Sequence, residues 1–198
     1  MPSPTRDPSG VFLNVPFDPA YQSFFVTLVS ALVSLGQTPR CVLEVRERGQ
    51  GRLARIYELL RSCGVSIHDL CRTGQPARFN MPFELGLACS IALAGGPHDV
   101  VVLDTVPYRL DRTLSDYKGR DPLIYHRRVD SLIDCIADVF QIAHEPTPNV
   151  LKAEARILRK SAREIARQYG GTVFRPAAFR ALVAAATNRA RSQGLIPP

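Results

Sequence analysis

Apolar positions along the chain follow two patterns, short runs and longer stretches at helical spacing, and the two alternate. Val11-Phe12-Leu13-Asn14-Val15 is a short, partly β-branched run closed by Pro16, which predicts a buried strand. After the turn Phe17-Asp18-Pro19, residues Tyr21 to Leu35 carry Phe24, Phe25, Leu28, Val29, Leu32 and Val33 at helical spacing, with Gly36 placed to end the helix. Pro39 to Val45 predicts a second strand. Leu53, Ile56, Tyr57 and Leu60, flanked by Arg52, Arg55, Glu58 and Arg61, predict an amphipathic helix ending near Gly64. Val65 to Leu70 predicts a third strand with His68 and Asp69 near its end. Residues 71–78 are a polar loop, and Phe83 to about Ala94 is an apolar helix with Asn80 as its cap and Pro82 in its opening turn. Asp99-Val100-Val101-Val102-Leu103-Asp104 is the clearest strand, an unbroken run of the kind buried on both faces of a parallel sheet. A short strand over Leu123–Tyr125 and a helix over Val129–Ala143 follow. Past the break at Glu145-Pro146-Thr147-Pro148, two more helices are predicted, Leu151–Tyr169 and Pro176–Arg191.

Strand–helix alternation repeated in this way implies right-handed crossovers, and so an α/β fold: a doubly wound, mostly parallel sheet of about five strands with flanking helices, plus a C-terminal helical hairpin. Residues 1–10 are expected to be a disordered lead-in, 11–145 the α/β domain, and 150–198 a basic helical extension. Ligands of such sheets bind outside the carboxyl ends of the strands. The loops after Val15, Val45, Asp69 and Asp104 are therefore expected to line the site.

Composition narrows the classes without choosing among them. The chain has 198 residues, 45% hydrophobic and 22% charged, as in an ordinary globular protein. Its most apolar run, Leu85–Ala94, is far short of a membrane span, and the N-terminus has no apolar signal segment. Five cysteines without CxxC spacing argue against a disulfide framework and fit a reducing cytoplasm, and four scattered histidines offer no metal spacing. The formal charge of +7 is localised: from Leu151 onward ten cations face only Glu154 and Glu164, a balance of +8 that leaves residues 1–150 at −1. A tail of this kind fits either a solvated helix face or contact with an acidic partner or nucleic acid.

Candidate chemistry is concentrated in Arg78-Phe79-Asn80-Met81-Pro82-Phe83-Glu84-Leu85-Gly86. The carboxylate of Glu84 opens a helix among apolar neighbours. Read alone, it serves equally as a catalytic acid or as a charge complementing the helix dipole, an effect of roughly 0.3–1 kcal/mol. No GxGxxG, GxxxxGK[ST] or GxSxG is present, which removes the usual signatures of dinucleotide-binding dehydrogenases, P-loop enzymes and α/β-hydrolases. Asp69, at the end of the third predicted strand, is the second carboxylate on the ligand side, unless it simply caps the next turn. Asn14 at a strand end, Phe17 and Tyr21 as base-stacking rings, Arg46, Arg52 and Arg78 as phosphate clamps, Asn80 at the helix opening, and Tyr108 after the fourth strand complete the candidate binding set. Each also has an ordinary structural role open to it.

The stretch with Asn80 followed by Phe83-Glu84-Leu85-Gly86 resembles the FELG signature of bacterial TIR-like nucleotide-binding domains, with residues 11–143 matching roughly in order. It is also similar to nucleoside 2-deoxyribosyltransferases. The resemblance implies cleavage of an N-glycosidic bond in NAD-type dinucleotides or nucleosides, with Glu84 as the catalytic carboxylate and Asp69 assisting. NAD or a nucleoside would enter as substrate, and no cofactor is expected. It further implies activity in a self-associated state. Pro16-Phe17-Asp18 and Pro82 depart from the family pattern. A non-catalytic nucleotide sensor using the same pocket, and an interaction protein acting through its basic tail, are the readings set against it.

Overall fold

The computed structural model describes residues 5–44, 51–72, 78–117, 121–140 and 146–198. Five strands form one sheet: β1 (Asp7–Asn14), β2 (Thr38–Cys41), β3 (Cys63–Asp69), β4 (Asp99–Asp104) and β5 (Leu123–Ile124), in the order β2-β1-β3-β4-β5. β1, β3, β4 and β5 pair in parallel, with Asn14 opposite His68 and Asp69 opposite Leu103. The helices are α1 (Gln22–Ser34), α2 (Arg52–Ser62), α3 (Asn80–Leu93), the single turn α4 (Leu110–Thr113), α5 (Val129–Phe140), α6 (Pro148–Gln168) and α7 (Pro176–Ser192). The α/β fold read from the alternation is therefore present. Its strand order reverses direction at β1, which puts the topological switch point between β1 and β3.

The chain divides into two compact units, residues 1–16 with 40–127 and residues 17–39 with 128–198. In the first, α2 packs on β1 and β3, while α3 packs on β1, β3 and β4. Met81, Leu85 and Ala88, spaced by four and three residues, form the buried stripe of α3. Leu70, Val102 and Leu110 close an apolar cluster over Met81 and Leu85. In the second unit α5, α6 and α7 all pack on α1, which is buried continuously from Phe25 to Ser34. Phe25 is the hub of a ring cluster with Phe17, Phe174 and Phe179, at centroid distances of 5.9, 5.2 and 5.8 Å. Helix α6 buries Leu151, Ala155, Leu158, Ala162 and Ala166 along one face. The pair α6–α7 is thus packed into a helical unit with α1 and α5, and Glu154 bonds across to Arg189 at 3.0 Å.

Several boundaries differ from the pattern-based expectation. β1 starts at Asp7, inside the stretch expected as a lead-in, and a register shift between Asp7 and Val11 absorbs Pro8, Ser9 and Gly10. α2 ends at Ser62, close to the expected Gly64, and Gly64 itself lies inside β3. A Cβ there would run into the carbonyl oxygen of Pro8, so the close approach of β1 to β3 requires glycine. β2 ends at Cys41, because Glu44 turns back to accept from the Cys41 amide at 2.9 Å and from Arg40 Nε at 2.8 Å, winding Val42–Glu44 into a 3-10 turn. Asn80 is the first residue of α3 and not its cap. The entry is closed by backbone bonds instead, Met81 N to the Arg78 carbonyl and Phe83 N to the Phe79 carbonyl, both 3.2 Å.

Candidate functional site

The switch point gathers the carboxyl ends of β1 and β3 and the start of α3. Asn14, the last residue of β1, is buried; its Nδ2 donates to the Met81 carbonyl and lies beside His68 Nδ1, both at 2.9 Å. The Met81 oxygen can only accept, which fixes the orientation of the amide. His68 Nδ1 must then accept, so its proton sits on Nε2, 2.9 Å from Ser66 Oγ. The Ser66 hydroxyl is left to donate to His98 Nε2, also 2.9 Å away, and His98 Nδ1–H donates to the Cys63 carbonyl at 3.1 Å. Every ring nitrogen in this buried relay has one role, and both imidazoles must be neutral to fill it. Burial acts in the same direction, pushing His68 down to about 3 and lowering His98 as well. Asn14 Oδ1 is the one atom of the group left buried without a partner.

Asp69 ends β3 with no exposed surface. Its Oδ1 accepts from the Cys71 amide at 2.9 Å and its Oδ2 from the Tyr125 hydroxyl at 2.8 Å. Burial, and after it the charge of Asp69, drives the Tyr125 phenol well above its usual range, so it stays a donor. Asp104 ends β4 in a comparable setting. It is fully buried and accepts from the amides of Thr105 and Val106 and from the guanidinium fork of Arg109. Arg109 also reaches the Leu70 carbonyl at 3.2 Å, tying the end of β4 to the end of β3.

Glu84 is the fifth residue of α3, beyond the first turn, where the helix dipole acts most strongly. It is half-buried, and desolvation raises its carboxyl to about 7 against the opposing charge of Arg52, the first residue of α2. A dipole-complementing acid would be shifted down, not up. A cavity of about 360 Å³ runs along α3, with Pro82, Leu85, Gly86 and Cys89 on one wall and Leu114 and Tyr117 on the other. Those α3 positions lie on the far side of the helix from Glu84, and Glu84 does not line it.

The remaining candidates are dispersed. Phe17 packs on Phe25 and Phe174, and the buried Tyr21 lies against Phe24 at 5.5 Å, so both rings serve the helical unit. Arg78 and Asn80 are exposed at the entry to α3, and Arg46 lies outside the described residues. Tyr108 is 79% exposed with φ 57, a left-handed conformation unusual for an aromatic residue. The relay and the Asp104–Arg109 pair were not singled out from sequence. The signal available was the polar pair Ser66 and His68, two residues apart and so on one face of an otherwise apolar strand. Among the described residues no three His, Cys, Asp or Glu side chains come together as a metal site would need, and no helix is long and apolar enough to cross a membrane.

The fold and the position of these groups define a parallel α/β chain with polar side chains gathered at its switch point. No protein-family model matches it, and no curated protein or solved structure is significantly similar.

Proposed function

We propose that the crevice at the carboxyl ends of β1 and β3 binds a nucleotide and cleaves its N-glycosidic bond, with Glu84 as the catalytic carboxylate. The observation that carries this reading is the state of Glu84: a half-buried acid shifted up to about 7, on the helix that follows β3 at the switch point. A carboxyl raised by desolvation beside a specific charge partner is a candidate functional group. In the proposed reaction the ionised carboxylate faces the positive charge that develops at C1′ as the base departs. Water then supplies the new C1′ oxygen and releases a proton. A cationic sugar centre beside Glu84 favours its charged form, as Arg52 already does. Arg52, at the start of α2, is the proposed partner of the ligand's phosphates.

Asp69 supports one leaving group over another. Both its oxygens accept hydrogen bonds and it has no exposed surface, so it is suited to holding the end of β3 and not to delivering a proton. A neutral purine or pyrimidine needs a proton to depart; a nicotinamide ring, already cationic, does not. The proposal is therefore an NAD-type glycohydrolase in preference to a nucleoside transferase. Self-association is part of the same proposal. The test is base release, followed by chromatography, from NAD and a nucleoside panel across a range of protein concentrations, for the wild type and Glu84→Gln. Nicotinamide release is expected, falling by roughly 10²–10⁴-fold in the variant. No base released from any substrate at any concentration, or a Gln variant that turns over normally, overturns the assignment.

A further inference from the structure

The helical unit contains a second concave site, independent of Glu84. A cavity of about 410 Å³ is lined on one side by Pro19, Gln22, Ser23 and Val26, and on the other by α6. The α6 wall presents Arg156, Arg159, Lys160 and Arg163. Spacings of three, four and seven residues place the four cations in one stripe about 10 Å long. Among the described residues no carboxylate lines the cavity. Three acids of this unit pair with cations outside the cavity: Glu154 with Arg189, Glu164 with Arg167, and Asp134 with Lys152. Among the described residues the four cavity cations make no ion pair, while neighbouring cations outside the cavity do. Like charges at these spacings repel along a helix, so the stripe weakens α6 in the absence of a counter-charge.

We propose that this cavity binds an oligophosphate, a small ligand carrying two or more linked phosphate groups. Three guanidinium forks and one ammonium match the charge and the bidentate geometry of phosphate oxygens. The Gln22 and Ser23 side chains offer neutral hydrogen bonds from the opposite wall. Val26 and Ala162, both buried, form an apolar floor that keeps solvent from one side of the ligand. The volume falls within the range of small-ligand pockets, roughly 300–1,000 Å³. The α1 wall makes the stripe a recess, which a duplex following an exposed helix would not need.

The experiment is calorimetric titration of the full chain with tripolyphosphate at about 50 mM and about 200 mM salt. ATP forms a second arm and a short DNA duplex a third. Saturable binding of tripolyphosphate is expected, weaker at the higher salt. Arg159→Gln/Arg163→Gln should weaken it by roughly tenfold or more, with Lys160→Gln, at an exposed position, as the milder variant should the double one fold poorly. Arg180→Gln/Arg191→Gln, which removes as much charge outside the cavity, should change it less than about twofold. ATP binding tighter than tripolyphosphate identifies a nucleotide as the source of the phosphates; equal binding identifies the phosphate chain alone. No saturable binding, an equal loss in the Arg180/Arg191 control, or binding of the duplex only overturns the proposal. None of these readouts depends on Glu84 or on base release.

Discussion

Asn14 Nδ2 lies 2.9 Å from His68 Nδ1 across the β1–β3 pair, and this contact sets the proton positions of the relay behind it. Because Asn14 donates, His68 must accept, Ser66 must pass its hydroxyl proton on, and His98 must keep its Nδ1 proton for Cys63. Ser66 Oγ is the one atom of the relay that both accepts and donates. Ser66→Ala therefore leaves a buried His68 N–H and a buried His98 nitrogen without partners. At about 1–3 kcal/mol for each, a loss of about 2–6 kcal/mol is expected in denaturant unfolding. Ser90→Ala, which removes an exposed hydroxyl bonded to the Leu87 carbonyl, should fall within about 0.5 kcal/mol of wild type. Equal losses in the two variants would show that the relay has no special weight.

The histidines and Glu84 oppose each other in their effect on stability with pH. His68 is lowered from 6.5 to about 3, so in that window the unfolded chain binds the proton and the folded chain does not. Its contribution is complete above 6.5 and is lost at about 1.4 kcal/mol per unit as pH falls toward 3. Glu84 is raised from 4.5 to about 7, so over that range the folded chain keeps a proton that the unfolded chain has released. Stability from Glu84 is therefore present at low pH and declines as pH rises through 7. Glu84→Gln removes this decline. Chemical denaturation across pH should find the variant equal to wild type near pH 4 and about 2–3 kcal/mol more stable near pH 8. A variant less stable than wild type at high pH would mean that the ionised carboxylate is held by favourable partners and is not strained by burial.

What could be read from the sequence was whatever local pattern dictates. β4 was expected over Asp99–Asp104 and is found there, because four consecutive apolar residues between two aspartates leave little choice. Glu84 and Asp69 could be assigned to the carboxyl side of the sheet, because that follows from alternation alone. The extent of β2 could not be read: Val42 and Leu43 look like strand, but Glu44 competes for the backbone through Cys41 and Arg40. Nor could the relay. Asn14, Ser66, His68 and His98 come from three separate segments, and only the parallel register of β1, β3 and β4 brings them together. Phe17 and Tyr21 show the converse. Their types suit base stacking, but Phe25 and Phe174 on one side and Phe24 on the other take up the rings.

Arg109 gives the sharpest test of how the strand ends are held. Its Nε donates to Asp104 Oδ2 at 3.0 Å, its Nη2 to Asp104 Oδ1, and the same Nη2 to the Leu70 carbonyl at 3.2 Å. Asp104 has no exposed surface, whereas the Arg109 side chain keeps 18% of its own. Removing the cation by Arg109→Ala leaves a buried carboxylate supported only by the Thr105 and Val106 amides, and a loss of about 3–5 kcal/mol is expected. Arg109→Lys keeps the charge but cannot span two carboxylate oxygens and a carbonyl at once, so it should recover less than half of that loss. The double variant Asp104→Asn/Arg109→Met removes both charges and keeps comparable volume. If the cost lies in the uncompensated buried charge, the double variant will be more stable than Arg109→Ala. If it is less stable, the fork's tie between β4 and β3 outweighs the charge, and the two strand ends depend on Arg109 for their spacing.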